Sequence, residues 1–190
     1  MSEAPIKTIS SREIYRNRWC SVREDVIERE NGERGIYGVM DKTPGCIVAA
    51  VEHAADGEFL WLVRQFRYTV GGTYFEMPQG GWEREDVDPE EMARGELREE
   101  TGLRAARMVP LARLWIAYGA MRQMHHVFLA EGLTPGDTER DAEEQDMTVH
   151  RVSVREFEDM LLDGRVMDNC TVAAWGTYKV WLERHRPSLS

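Results

Sequence analysis

Three glutamates, Glu96, Glu99 and Glu100, share one short stretch, and a Gly80-Gly81 pair stands ahead of them. In a helix turning 100° per residue these acids occupy an arc of about 100° and rise roughly 6 Å from first to last. Carboxylates packed so closely repel one another unless a divalent cation or arginines neutralise them. The spacing suits hard oxygen ligation of Mg²⁺, or of Mn²⁺ in its place. The same residues, with Arg94 and Arg98 interspersed, would equally make a solvated helix face laced with i,i+4 ion pairs. The Gly80-Gly81 turn favours the metal, because glycine backbone can approach an ion closely and offer it a carbonyl oxygen. Glu96 and Glu100, four apart on one helical edge, are the stronger ligand candidates, and Glu99 is the third.

The elements that must position these groups can be read around them. Asp88 is an N-cap residue, Pro89 suits the first helical position, Glu91 lies in capping-box register and Gly102 supplies a stop. A helix is therefore expected between Asp88 and Gly102. Strands are expected at 46–52, 58–68, 73–77, 107–116, 124–130 and near 147–153. Farther upstream, strand-like stretches occur around Glu13-Ile14-Tyr15, Cys20–Arg23 and Asp25–Glu28. Asn31-Gly32 then separates Val26-Ile27 from Ile36–Val39, a hairpin signal because both turn residues tolerate positive φ. Residues 10–40 thus read as a small antiparallel sheet, preceded by a loose tail over 1–9. Two late helices are expected. Ser153 opens the first, which carries Phe157, Met160 and Leu161, and the second runs over about 171–185 with Trp175, Tyr178, Trp181 and Leu182 as a core-facing stripe. The connection 131–146 is long, polar and acidic, as functional or disordered loops are.

Composition narrows the class of function. The 190 residues are 42% apolar, and 24 Lys+Arg against 34 Asp+Glu leave a formal charge of −10. That fits one soluble domain with a small appendage, and it argues against a broad nucleic-acid or anionic-membrane footprint. Any phosphate-bearing ligand must be met locally. The longest apolar run, Cys46–Val51, falls far short of the roughly 18 to 20 residues of a membrane span. The N-terminus lacks the basic and apolar regions of a secretion signal, so a cytoplasmic location is expected. Cys20, Cys46 and Cys170 are odd in number, widely spaced and without a C-x-x-C pair, and they read as free thiols.

From Gly81 to Leu103 the chain resembles the Nudix box, G-x5-E-x7-R-E-U-x-E-E-x-G-U with U aliphatic. Glu96, Leu97, Glu99, Glu100, Gly102 and Leu103 fall on its positions without a gap. Two positions depart from it. Val87 stands where the pattern has its first glutamate, and Gly95 stands where it has the arginine that steadies the acids, with Arg94 and Arg98 as partial substitutes. The resemblance implies an α/β fold, the Nudix α/β/α sandwich with a mixed sheet and a small N-terminal antiparallel extension. It also implies a metal site in which Glu96, Glu99, Glu100 and the Gly80 carbonyl hold one to three Mg²⁺ ions against a diphosphate.

Outside the box, Tyr15–Trp19, Leu62–Tyr68 and Phe75–Gly81 resemble the ADP-ribose pyrophosphatase branch of that family. The branch implies a nucleotide-sugar substrate, a homodimer formed through residues 10–42 and a hydrolase domain over 43–186. It also implies that Arg67 contacts substrate phosphate, with Arg64 and Glu76 as further substrate-side candidates and Glu76 supporting the metal site. A late-loop carboxylate is expected to act as general base or additional metal ligand. Glu139, Glu143, Glu144 and Asp146 compete for that part, and Glu143 and Glu144 are preferred as catalytic residues because they directly precede the strand at 147–150. Trp19, Tyr37, Trp115 and Tyr118 could stack on a base or serve the core, and the His125-His126 pair reads as structural. The expected reaction gives a nucleoside monophosphate and a sugar phosphate. GDP-mannose or a dinucleoside polyphosphate is the alternative substrate, and a ligand-binding module with weakened catalysis is the alternative class.

Overall fold

The apolar run Cys46–Val51 lies at the centre of the molecule. In the computed structural model, which describes residues 4–81, 86–136 and 146–185, it belongs to strand β4 (Gly45–Ala54). Its side chains alternate between two layers. Cys46, Val48 and Ala50 pack with Met92, Ala93 and Leu97 of α1 (Pro89–Thr101). Ile47, Ala49 and Val51 pack with Phe157 and Met160 of α2 (Val154–Asp163) and with Ala174, Trp175 and Tyr178 of α3 (Asn169–His185). A strand covered on both faces needs apolar residues at both parities, which is why this one reads as a run and not as an alternation. The expected α/β/α sandwich follows.

Around β4 stand β5 (Gly57–Arg67), β8 (Leu103–Trp115), β10 (Met124–Pro135) and β11 (Thr148–Ser153), in the order β11-β5-β4-β10-β8. β10 runs parallel to β4 and the other neighbours in this path are antiparallel, so the sheet is mixed. β6 (Gly72–Glu76) extends from β5, and the two-residue β7 (Gln79–Gly80) pairs with β4 through Cys46↔Gly80 and Ile47↔Gln79. That short pairing carries the chain from the sheet toward α1.

A second sheet has the order β1-β2-β3-β9, from β1 (Ile6–Arg16), β2 (Ser21–Arg29), β3 (Arg34–Asp41) and β9 (Met121–Arg122). The Asn31-Gly32 hairpin forms with Gly32 at φ +82° and Val26 opposite Ile36. β9 ties this sheet to the larger domain by pairing parallel to β3, and Arg122 forms an ion pair with Asp41. Three expectations change here. β1 begins at Ile6, paired with Arg29, so residues 6–9 are strand and not tail. Ile6, Thr8 and Ile9 are β-branched and suit a strand, and the ladder to β2 draws them into β1. The stretches at 20–23 and 25–28 are one strand, because β1 and β3 pair with β2 through Glu24 and Asp25. β10 continues against β8 to Pro135, replacing the start of the expected 131–146 loop.

Helix α1 ends as its caps dictate. Asp88 Oδ1 accepts the N–H groups of Glu90 at 2.8 Å and Glu91 at 3.1 Å, and Gly102 closes the helix in the left-handed region at φ 73°. Among the described residues no helix is long and apolar enough to cross a membrane. Replacement of the cap, Asp88→Ala, should lower stability by about 1 kcal/mol. A shifted urea midpoint with unchanged slope is the expected reading.

Candidate active site

Strand β7 brings Gly80 to the junction of β4 with the carboxylate face of α1. Glu96 and Glu100 are buried there, at 6% and 2% exposure. A Cβ added to Gly80 would overlap the Glu96 carboxylate, and one added to Gly45 would stand 2.6 Å from the Gly80 carbonyl oxygen. Close approach of three segments therefore requires glycine at both positions. Glu100 Oε2 accepts the backbone N–H of Gln79 at 3.0 Å. Glu99 Oε1 accepts from Arg98 Nη2 at 3.2 Å.

Among the described residues no three acidic, histidine or cysteine groups are gathered into a ready coordination shell. The donor set nevertheless fits a divalent cation. Two buried carboxylates beside a backbone carbonyl are hard oxygen donors. The Cys46 thiol reports the local field: burial pushes its pKa up, and the carboxylates of Glu96, Glu100 and Glu99 push it further.

Beside it lies a second cluster. Arg67 grips Glu76 with both ends of its fork, Nε to Oε1 at 2.8 Å and Nη2 to Oε2, and this partner raises the guanidinium pKa. Glu76 is almost wholly buried while two fifths of the Arg67 side chain stays exposed, so the cation faces outward with N–H groups to spare. Gln79 Nε2 donates to Glu76 Oε2 at 2.8 Å and to Asp168 Oδ2 at 2.9 Å. The structure thus unites Gly80, Glu96, Glu100, Glu76 and Arg67. Arg64 is not brought to them. Three residues from Arg67, it falls on the opposite face of β5, exposed over the Phe75 ring at 5.6 Å. Glu139, Glu143 and Glu144 lie outside the described residues, and Asp146 is exposed just ahead of β11.

Two clefts meet at Arg67 and Gln79. One, of about 420 Å³, is lined by Tyr74, Glu76, Met167 and Asp168 as well. The other, of about 260 Å³, reaches past Gly80 and Gly81 to Trp19, Lys42, Gln123 and His125. The Arg18 guanidinium sits over the Trp19 ring at 4.1 Å. Sequence reasoning passed over Gln79 and Asp168. A readable signal existed for the second: Asp168 and Thr171 stand in N-cap spacing, and Asp168 Oδ2 accepts the Thr171 N–H at 2.8 Å.

The two departures from the family pattern have separate consequences. Val87 packs against the cluster of Cys46, Val48 and Met92. Gly95 lines a surface hollow of about 440 Å³ with Asp88, Glu90, Glu91, Arg94 and Arg98. Arg94 does not substitute for an arginine there, since it binds Glu90 and the Ala105 carbonyl.

His125 sits on β10 with its Nδ1 buried and without a hydrogen-bond partner among the described residues. Burial first, then Lys42 and His126, lowers its pKa from 6.5 to about 4. The unfolded chain takes up this proton at the ordinary value while the folded chain refuses it until about 4. Stability should therefore fall as pH drops through that window, and His125→Gln should flatten that part of the profile. Urea midpoints measured from neutrality down to about pH 4 check the sign.

The family model for the NUDIX domain matches residues 44–170, and that for the nucleoside diphosphate sugar hydrolase N-terminal domain matches residues 6–40. The ADP-ribose pyrophosphatase of Mycobacterium tuberculosis (strain ATCC 25618 / H37Rv) is 29% identical over 174 residues, covering 91% of this chain and 83% of the relative. That of Bacillus subtilis (strain 168) is 30% identical over 140 residues, 74% of each. Among solved structures, an ADP compounds hydrolase superposes with a TM-score of 0.81 at 22% identity, covering 98% of both chains, which bears on the fold alone.

Proposed function

This chain belongs to the NUDIX family and is a pyrophosphohydrolase of the nucleoside diphosphate sugar type, and from that premise we propose its substrate, metal and assembly. The substrate is a nucleoside diphosphate sugar of the ADP-ribose kind, cleaved with Mg²⁺ to nucleoside monophosphate and sugar phosphate by a cytoplasmic homodimer. The observation that carries the reading is the meeting of two clefts at Arg67, beside the acid-lined Gly80 turn. A ligand with a diphosphate at its centre and a bulky group at each end needs that layout. Its similarity to two ADP-ribose pyrophosphatases agrees with it.

The roles follow from chemistry. Glu96, Glu99, Glu100 and the Gly80 carbonyl are the residues that would hold the cation, with Glu99 released from Arg98. Such a cation, when bound, neutralises charge on phosphoryl oxygens and lowers the pKa of a bound water. Arg67 offers its outward N–H groups to a phosphate oxygen, fixed in direction by buried Glu76. Arg18 and Lys42 extend positive charge along the smaller cleft, where the Arg18 guanidinium lies over the Trp19 ring. Glu143 or Glu144, between β10 and β11 in sequence, supplies the general base.

Two experiments test the reading. Release of nucleoside monophosphate should be Mg²⁺-dependent and highest for ADP-ribose in a panel with GDP-mannose, UDP-glucose and diadenosine polyphosphates. Glu100→Gln, which keeps an acceptor for the Gln79 N–H, should lower turnover by about two orders of magnitude or more with the fold intact. A maximum at another compound would move the assignment to that substrate. The dimer is proposed on the N-terminal sheet, where Ile6, Ile9, Ile14 and Tyr15 of β1 are 42% to 55% exposed. Light scattering should give twice 21.9 kDa, and Ile14→Arg should give a monomer.

A further inference from the structure

The first turn of α3 is far from the acidic helix in sequence, yet it holds the segment that presents Gly80. Asp168 precedes that turn. Its Oδ2 accepts three hydrogen bonds, from the Thr171 N–H at 2.8 Å, the Thr171 hydroxyl at 2.7 Å and Gln79 Nε2 at 2.9 Å. Thr171 Oγ1 in turn accepts the Met77 N–H at 3.0 Å and is fully buried. The segment Met77-Pro78-Gln79 is therefore clamped at both ends by one helical turn. On its other side it is held by β4, through the Val48 N–H bonded to the Pro78 carbonyl at 2.9 Å and through the β7 pairing.

Gln79 joins this clamp to the site. A primary amide has two N–H donors, and both of those on Gln79 are committed, one to Glu76 and one to Asp168. Rotation of the side chain would leave a carboxylate without its donor, which is costly in a buried setting. The backbone N–H of the same residue holds Glu100. One residue thus fixes Glu76, and through it the Arg67 fork, together with Glu100. Its own external anchor is Asp168.

We propose that Asp168 is a positioning residue of the hydrolytic site, acting through the Gln79 side chain to set the Glu100 carboxylate and the Arg67–Glu76 pair. The proposal rests on the hydrolase reading above. It predicts a defect in chemistry and in metal affinity beyond any effect on helix capping.

The variants separate the two roles. Asp168→Ser keeps a good N-cap for α3 but is too short to reach Gln79. Gln79→Ala keeps the backbone N–H to Glu100 and removes only the amide bridge. Each should melt close to the parent, lose about 10- to 100-fold in kcat with little change in KM, and bind Mn²⁺ more weakly in the substrate-free chain by electron paramagnetic resonance. Because both break one chain of bonds, Asp168→Ser combined with Gln79→Ala should lose no more than either alone. Parent-like kcat and Mn²⁺ affinity in Asp168→Ser, or strictly additive losses in the double variant, would overturn the proposal. A parent protein that turns over no member of the nucleotide panel would instead overturn the hydrolase reading, and the Mn²⁺ comparison between parent and Asp168→Ser would still decide whether the clamp sets the acids.

Discussion

Glu76, Glu96 and Glu100 are withdrawn from water at one junction of sheet and helix, and their shared negative charge is the constraint that the surrounding structure answers. Burying a carboxylate costs several kcal/mol unless hydrogen bonds and opposite charge compensate. Glu76 has the Arg67 fork and the Gln79 amide, and Glu100 has the Gln79 N–H. Glu96 lies against Gly80, and the carboxylates of Glu96, Glu100 and Glu99 push the Cys46 thiol pKa up beyond the effect of burial. A divalent cation bound there would meet those carboxylate oxygens. The glycines at 45 and 80 are consequences of the same constraint, since any side chain there would hold the strands and the Glu96 carboxylate apart.

An acidic protein that handles an anionic diphosphate must solve a second electrostatic problem. The net charge of −10 repels such a ligand at long range, but salt screens exposed charges beyond about 8 Å at physiological ionic strength. Local cations then decide. Arg67 lies where the two clefts meet, and Arg18 and Lys42 line the smaller one, so positive charge is concentrated where the ligand would lie. Arg67 is directed by a buried carboxylate that consumes two of its N–H groups, which restricts its motion and leaves the outward edge for phosphate.

The departures at Val87 and Gly95 become interpretable in the same terms. Val87 adds to the apolar layer under α1, so this position serves packing in this chain and not charge. Gly95 leaves a hollow on the helix surface, and neighbouring Arg94 is occupied elsewhere. Glu100 is steadied from the sheet side by the Gln79 N–H, and the Gln79 side chain is held by Asp168 of the clamp.

Local rules were sufficient for much of this molecule. The caps at Asp88 and Gly102, the Asn31-Gly32 hairpin and the two-faced run at β4 are each governed by neighbouring residues, so pattern alone located them. The acids at 96 and 100 share a helical edge for the same reason. What the sequence could not convey depends on contacts between distant segments. Residues 6–9 are β-branched at three of four positions, but it is the partner ladder of β2 that makes them strand. Arg64 and Arg67 look equivalent along the chain, and only the pleat of β5 and its pairing with β6 turn one to Glu76 and the other to Phe75. Gln79 and Asp168 lie eighty-nine positions apart and are joined by a single hydrogen bond that exists only once α3 packs against the sheet. The sequence by itself determined the family, the acidic helix and its glycine turn, because those are set by short-range spacing. The tertiary structure decided which charges pair and which stay available to a ligand, because burial and long-range packing, not spacing, govern the cost of each charge.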